Sequence, residues 1–273
     1  MQPLHKGAKL ITILVFILSS AVAFGQSQSG TAPTQDPQAV AILTQTLNAV
    51  GGLSAISAIQ DYTGTGNITY FWASEPVQAA VTVQGMGLGD YRLDASLEQG
   101  IQTWACADGL AGILITPSGA SQSAPFYNLA TEGSRTLPYI RIAAELADNS
   151  TSINYIGLVS TSGGQAYQVH FAQATPAAMP TGVSVQRYGE FDLYIDPKSF
   201  LIVKLTESLR SDTNLNTTYP HEIDFSNYQP VGSILAPFTI SERINKQQTW
   251  SITLSTLSFN SGLTEEVFTP QPN

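Results

Sequence analysis

Beyond His5, the sequence offers His170, His221, the single Cys106 and scattered acidic and hydroxyl residues as groups able to do chemistry. Both later histidines fall in stretches that read as strands, where an imidazole is ordinarily hydrogen-bonded or exposed. The run His221-Glu222-Ile223-Asp224 holds metal-ligand residue types. A zincin centre needs two histidines four apart on a helix, and a strand sends adjacent residues to opposite faces. No metal site is expected.

A nucleophile elbow would read Gly-x-Ser-x-Gly. Gly182-Val183-Ser184-Val185 lacks the closing glycine and sits in a proline-rich loop. A histidine within hydrogen-bonding reach of a serine or aspartate inside a pocket is what would reopen a hydrolase reading. Cys106 lies between Ala105 and Ala107 in an apolar strand, the setting of a small buried residue rather than a reactive thiol. Gly85-Met86-Gly87-Leu88-Gly89 joins two predicted strands, whereas a dinucleotide loop joins a strand to a helix, so it reads as a hairpin connection. Asp192 and Asp196 share one strand face and read as a solvated face and a turn. The expectation is a protein that is not an enzyme and carries no cofactor.

The N-terminus sets the compartment. His5, Lys6 and Lys9 lead into the apolar run Leu10 to Leu18, broken only by Thr12. That run is short of the roughly 20 residues a membrane span needs, and small residues suited to cleavage follow. Residues 1–25 are expected to be a cleaved signal peptide, with cleavage after Ala23 or Gly25; an uncleaved anchor is the alternative. No cysteine follows the run, so no lipid anchor is expected, and the destination is periplasmic or secreted. Residues 26–35, rich in Ser, Gln, Thr, Gly and Pro, read as a flexible spacer.

The full chain carries 11 basic and 20 acidic residues, a net charge of −9. Loss of Lys6 and Lys9 with the signal leaves nine basic residues against the same twenty, near −11. Nucleic acid and anionic membranes are bound by clustered Lys and Arg, which no stretch supplies. A single cysteine forms no intramolecular disulfide, so an exported domain of this size must rest on its hydrophobic core.

Asp36 offers a helix N-cap with Pro37 at the first helical position. Val40, Leu43, Leu47 and Val50 follow at helical spacing, and Gly51-Gly52 ends the helix. A short helical segment over Leu53 to Ile59 comes next. Strands are predicted over 62–73, 77–86, 91–97, 103–107, 111–116, 153–159, 166–172, 191–195, 201–209, 219–228, 236–244 and 249–259. Alternation is clearest in Phe191, Leu193 and Ile195 and in Trp250, Ile252 and Leu254. It marks an antiparallel sheet with one buried face. A helix starting at Pro138 interrupts the series, after a long connection from Pro117 to Leu137. Residues 36–273 are expected to form one domain.

Several of these stretches resemble the superfamily of periplasmic lipoprotein carriers with the LolA/LolB-like fold. They are the opening helix with Gly51-Gly52-Leu53, then Tyr62-Thr63-Gly64-Thr65-Gly66, and Asp90-Tyr91-Arg92-Leu93-Asp94. The Asp196-Pro197 turn after Phe191 to Ile195, and Asp224-Phe225-Ser226-Asn227-Tyr228 with the closing Ser258-Phe259-Asn260, belong to the same pattern. The resemblance implies a mainly β domain: a strongly curved antiparallel sheet, an incomplete β-barrel, with the N-terminal and mid-chain helices covering its concave side. The carriers couple lid to barrel through an arginine in an Arg-Pro context, whereas Arg92 here precedes Leu93.

On this reading the protein binds a hydrophobic ligand, such as a lipid or an acylated lipoprotein, in the concavity. Val81, Val83, Leu93, Leu193, Ile195, Phe238, Ile240, Ile252 and Leu254 are expected to line it, with Pro138, Ile142 and Leu146 on a lid helix. The aromatic residues Phe71, Trp72, Tyr91, Trp104, Phe126, Tyr127, Phe238 and Trp250 suit either a pocket wall or core packing. The alternative is an envelope sensor or protein-interaction module of the same fold, engaging an envelope protein partner without carrying lipid.

Overall fold

A computed structural model describes residues 33–129, 132–148, 150–173, 190–214 and 216–269. The expected signal peptide, most of the expected spacer and the loop around Ser184 lie outside the described residues.

Helix α1 (Pro37–Ala49) begins as its sequence demands: the Asp36 side chain accepts from the Gln38 amide at 2.8 Å, and Pro37 opens the first turn. Its apolar stripe buries Ile42, Leu43 and Leu47, about 1.5–3 kcal/mol for each such side chain. The chain then turns at Gly51, whose φ of +126° suits glycine; a Cβ there would stand 2.5 Å from the Ser233 carbonyl oxygen. Helix α2 (Leu53–Ser57) follows. Thr34 and Gln35, expected to belong to the spacer, instead run beside the strand at Ile153: the Ile153 amide donates to Thr34 O at 2.9 Å and the Asp36 amide to Ile153 O at 2.8 Å. Backbone pairing outweighs the polar composition there.

The strands are β1 (Asp61–Tyr70), β2 (Val77–Met86), β3 (Asp90–Leu97), β4 (Gly100–Ala107), β5 (Ala111–Ile115), β6 (Ser121–Ala124) and β7 (Thr151–Thr161). After them come β8 (Gly164–Gln173), β9 (Phe191–Ile195), β10 (Ile202–Arg210), β11 (Thr218–Val231), β12 (Ile234–Ile244) and β13 (Gln247–Phe259). Helix α3 (Pro138–Ala147) lies between β6 and β7. All join one 13-stranded antiparallel sheet in the order 6-5-4-3-2-1-13-12-11-10-9-8-7. Two meanders, β1–β6 and β7–β13, are thus zipped together by the β1–β13 pair, and the sheet stays open between β6 and β7. The segment crossing that gap carries α3. β6 was not anticipated: Ser121-Gln122-Ser123-Ala124 is short and polar and has no alternation to read.

The curvature has local causes. β1 slips register against β13 between Thr65 and Gly66, and further irregularities fall between Glu242 and Arg243, Tyr155 and Gly157, and Ile202 and Lys204. Each extra residue bends its strand and increases twist. Gly66 permits the tightest approach, since a Cβ there would meet Thr253 O at 2.2 Å. The inward face of the sheet and the three helices share one apolar core, with Phe171 stacked on Phe191 at 4.3 Å between ring centres. No helix among the described residues is long and apolar enough to cross a membrane.

Candidate functional site

The helices cover only part of the inward face. The rest bounds an open cavity of about 1080 Å³, at the upper end of the roughly 300–1,000 Å³ typical of small-molecule sites. Its wall follows from strand alternation and register. Leu93 pairs with Trp104 and Trp104 with Leu114, so β3, β4 and β5 each contribute one large apolar side chain. Tyr70 pairs with Trp250 across β1 and β13, two residues beyond Ile68 and Ile252. Trp72 folds back over Tyr70 with ring centres 4.0 Å apart and planes 18° apart. All three tryptophans of the sequence line this one cavity.

Exposure distinguishes rim from floor. Trp72 is 56% exposed, Tyr219 41% and Phe71 38%, values that place them at the rim. Leu129, Glu132 and Glu242 are buried and belong to the floor. The floor is charged, and its charges alternate in sign along one chain of contacts. Trp104 Nε1 donates to Glu132 Oε2 at 3.0 Å, and Arg135 meets Glu132 Oε1 at 2.5 Å and Glu242 Oε1 at 3.1 Å. His221 Nε2 lies 3.0 Å from Glu242 Oε1 and its Nδ1 3.0 Å from Glu207 Oε1. Arg141 stands 3.7 Å from Glu207 and 3.8 Å from Glu145, with its guanidinium carbon 3.4 Å from the centre of the Phe191 ring. Thr151 Oγ1 donates to Glu145 at 2.5 Å, and Thr249 Oγ1 donates to Glu242.

The pairing sets the protonation states. Burial opposes charge on His221, but its bonds to Glu207 and Glu242 outweigh that and push the imidazole up to about 9. Burial likewise works to raise Glu207 and Glu242, yet the hydrogen bond from His221 and the nearby arginines hold both at about 2. Glu132 goes the other way: burial raises it, against the pull of Arg135 and Trp104. Near neutral pH His221 is therefore an imidazolium clamped between two carboxylates, with no free nitrogen for base chemistry.

Of the nine residues expected to line a cavity, Leu93 does. Val81, Val83, Leu193, Ile195, Phe238, Ile240, Ile252 and Leu254 are buried in the core that the helices share. Pro138 and Ile142 of α3 are buried and Leu146 is partly so, and α3 packs on α1 and α2. Among the aromatic residues, Phe71, Trp72, Trp104 and Trp250 reach the cavity, whereas Tyr91 and Phe238 pack in the core. Tyr127 Oη donates to Ser211 O at 2.9 Å, and the Phe126 side chain lies outside the described residues.

Arg92 sits on the outer face, bonded to Asp94 at 2.7 Å and to Val267 O at 3.0 Å, where it fastens the C-terminal segment. Arg135 and Arg141, on the connection and on α3, make the ionic links to the sheet. Sequence reasoning passed over both, along with their glutamates. Charged residues at inward-facing positions of strands, such as Glu207 and Glu242, were the available signal. Cys106 is buried and its thiol is pushed up to about 12, chiefly by burial. His170 Nδ1 lies 3.1 Å from Asp192 Oδ1 on the outer face, and both line an open pocket with Ser208, so the His–Asp pairing that would reopen a hydrolase reading is present there. Neither His170 nor His221 has a serine or threonine hydroxyl as a hydrogen-bond partner among the described residues.

No family model and no curated protein sequence matches the chain. Among solved structures it is similar to a DUF1329 family protein from Desulfovibrio piger, with a TM-score of 0.51 and 10% identity over 85% of this chain and 97% of that one. It is also similar to a LolA superfamily protein from Nitrosomonas europaea, with a TM-score of 0.49 and 12% identity over 85% of this chain and 97% of that one. At these identities the likeness is one of fold.

Proposed function

We propose that this chain is an exported binding protein that holds the apolar part of a lipid or acylated molecule in the tryptophan-lined cavity, and that it catalyses no reaction. The observation that carries the reading is an open space of about 1080 Å³ whose apolar wall includes Leu93, Leu114 and all three tryptophans. A sheet left open between β6 and β7 cannot close over that space with its own strands, so apolar wall remains uncovered. Each methylene taken from water into it contributes about 0.8 kcal/mol, and a tail of several carbons suffices for useful affinity without an ion pair. The basic and apolar segment at residues 5–18 supports export. The clamped His221 and the buried Cys106 support binding rather than catalysis.

Quenching by a monoacylglycerol brominated on its acyl chain tests this directly, because bromine quenches indole emission at contact and every tryptophan lines the cavity. Loss of most of the emission, saturating with probe, is the expected result. Unchanged emission with excess probe would sink the reading. Native mass spectrometry of protein prepared from the cell envelope reports any co-purified lipid and, from the intact mass, whether residues 1–25 have been removed.

A further inference from the structure

We infer that the cavity takes uncharged amphiphiles and rejects anionic ones, with the tail against Trp104 and Leu114 and the polar head held at the rim by the hairpin Asn245–Gln248. The inference rests on the binding reading above and adds the ligand's head-group chemistry. Three charged side chains line the cavity, Glu132, Arg135 and Glu242, and the His221 imidazolium stands 3.0 Å from Glu242 behind the floor, so the carboxylates are already paired. Arg135 spends its guanidinium on the two carboxylates, at 2.5 and 3.1 Å. An incoming carboxylate or phosphate therefore finds no free cation in a partly dry space, and losing its hydration there without a partner is costly.

The rim carries a different chemistry. Asn245, Gln247 and Gln248 line the cavity at the turn between β12 and β13, and their side chains form no hydrogen bond with any described residue. Carboxamides both donate and accept, which matches esters, amides and hydroxyls. Lys246, the cation on the same hairpin, is exposed at its tip and is not part of the lining. The head group thus meets neutral partners at the mouth, and an anionic one finds no unpaired counter-charge below.

Two probes of equal acyl length separate the terms: 1-decanoylglycerol and decanoate, titrated into the full-length exported protein at about pH 8, where a carboxyl group is ionised, and followed by tryptophan emission. The glyceride is expected to bind at least about tenfold more tightly. Gln247→Lys, at an exposed rim position, places a cation at the mouth without touching the core. It should recover most of the missing decanoate affinity and, by removing one rim carboxamide, weaken the glyceride somewhat, so that the gap narrows from both sides. Equal affinities in the parent protein, or tighter binding of decanoate, overturn the inference, as does a gap that Gln247→Lys leaves untouched. Absence of any response to either probe overturns the binding reading itself.

Discussion

His221 Nε2 and Glu242 Oε1 meet at 3.0 Å, and the same glutamate oxygen accepts from Arg135 at 3.1 Å. One atom thereby joins β11, β12 and the connection that leads into α3. His221 itself is wholly buried. Among the described residues no strand pairs across the gap between β6 and β7, and this ionic chain, with Arg141 and Glu207 behind it, fastens the crossing segment to the strands alongside the Asn128–Arg210 and Tyr62–Gly133 hydrogen bonds.

Removing the imidazole leaves Glu207 and Glu242 facing one another without their shared cation. His221→Leu is expected to destabilise the fold by about 3–5 kcal/mol, the usual cost of stranding one side of a buried ion pair. The urea unfolding midpoint measures it. A loss under about 1 kcal/mol would show that the network does not hold the crossing segment.

The pH dependence follows from the same groups. The folded imidazole titrates at about 9, above its ordinary value of 6.5, so its contribution is complete below pH 6.5 and is lost as pH rises through about 9. Glu207 and Glu242 titrate at about 2, below their ordinary 4.5; their contribution is complete above 4.5 and is lost as pH falls toward 2. Stability should plateau between about pH 5 and 6.5, with the alkaline fall absent in His221→Leu. Urea midpoints across pH read both edges, and an alkaline slope that survives the substitution would contradict the assignment.

Trp72→Ala removes an exposed ring stacked on Tyr70. It should weaken binding of the brominated probe about tenfold while leaving the urea midpoint within about 0.5 kcal/mol. Leu254→Glu, by contrast, puts a carboxylate in the shared core and should destabilise by several kcal/mol. If Leu254→Glu folds normally and abolishes binding, the cavity extends to where the core is now placed.

Gly51→Ala should be far more costly than Gly119→Ala. Both have positive φ, which disfavours alanine by roughly 1–2 kcal/mol. Only at Gly51 does the new Cβ collide, 2.5 Å from Ser233 O, where Gly119 faces open space. Thermal unfolding of the two variants compares them, and equal shifts would mean the turn against β12 relaxes freely.

Much of the frame is legible in the residues because it depends on local chemistry. Asp36 and Pro37 start α1, Pro138 starts α3, and Asp196 accepts from Ser199 N at 2.8 Å in the Asp-Pro turn. Period-two alternation in Phe191, Leu193 and Ile195 correctly marks a buried face. Composition fails at β6, whose four residues, three of them polar, form a strand only because β5 supplies a partner edge.

The sequence by itself determined an acidic, mainly antiparallel β chain with two main helices, and which side of each strand is apolar, since capping, turn chemistry and alternation act within a few residues. The tertiary structure alone decided which part of that apolar side the helices cover and which stays open. Leu93 and Leu254 look equivalent along their strands, yet one borders the cavity and the other lies in the core. It also decided the fate of the charges. Glu132, Arg135, Glu207, His221 and Glu242 are separated by up to 110 residues, and electrostatic pairing is a property of distance in space, to which the order of residues gives no access.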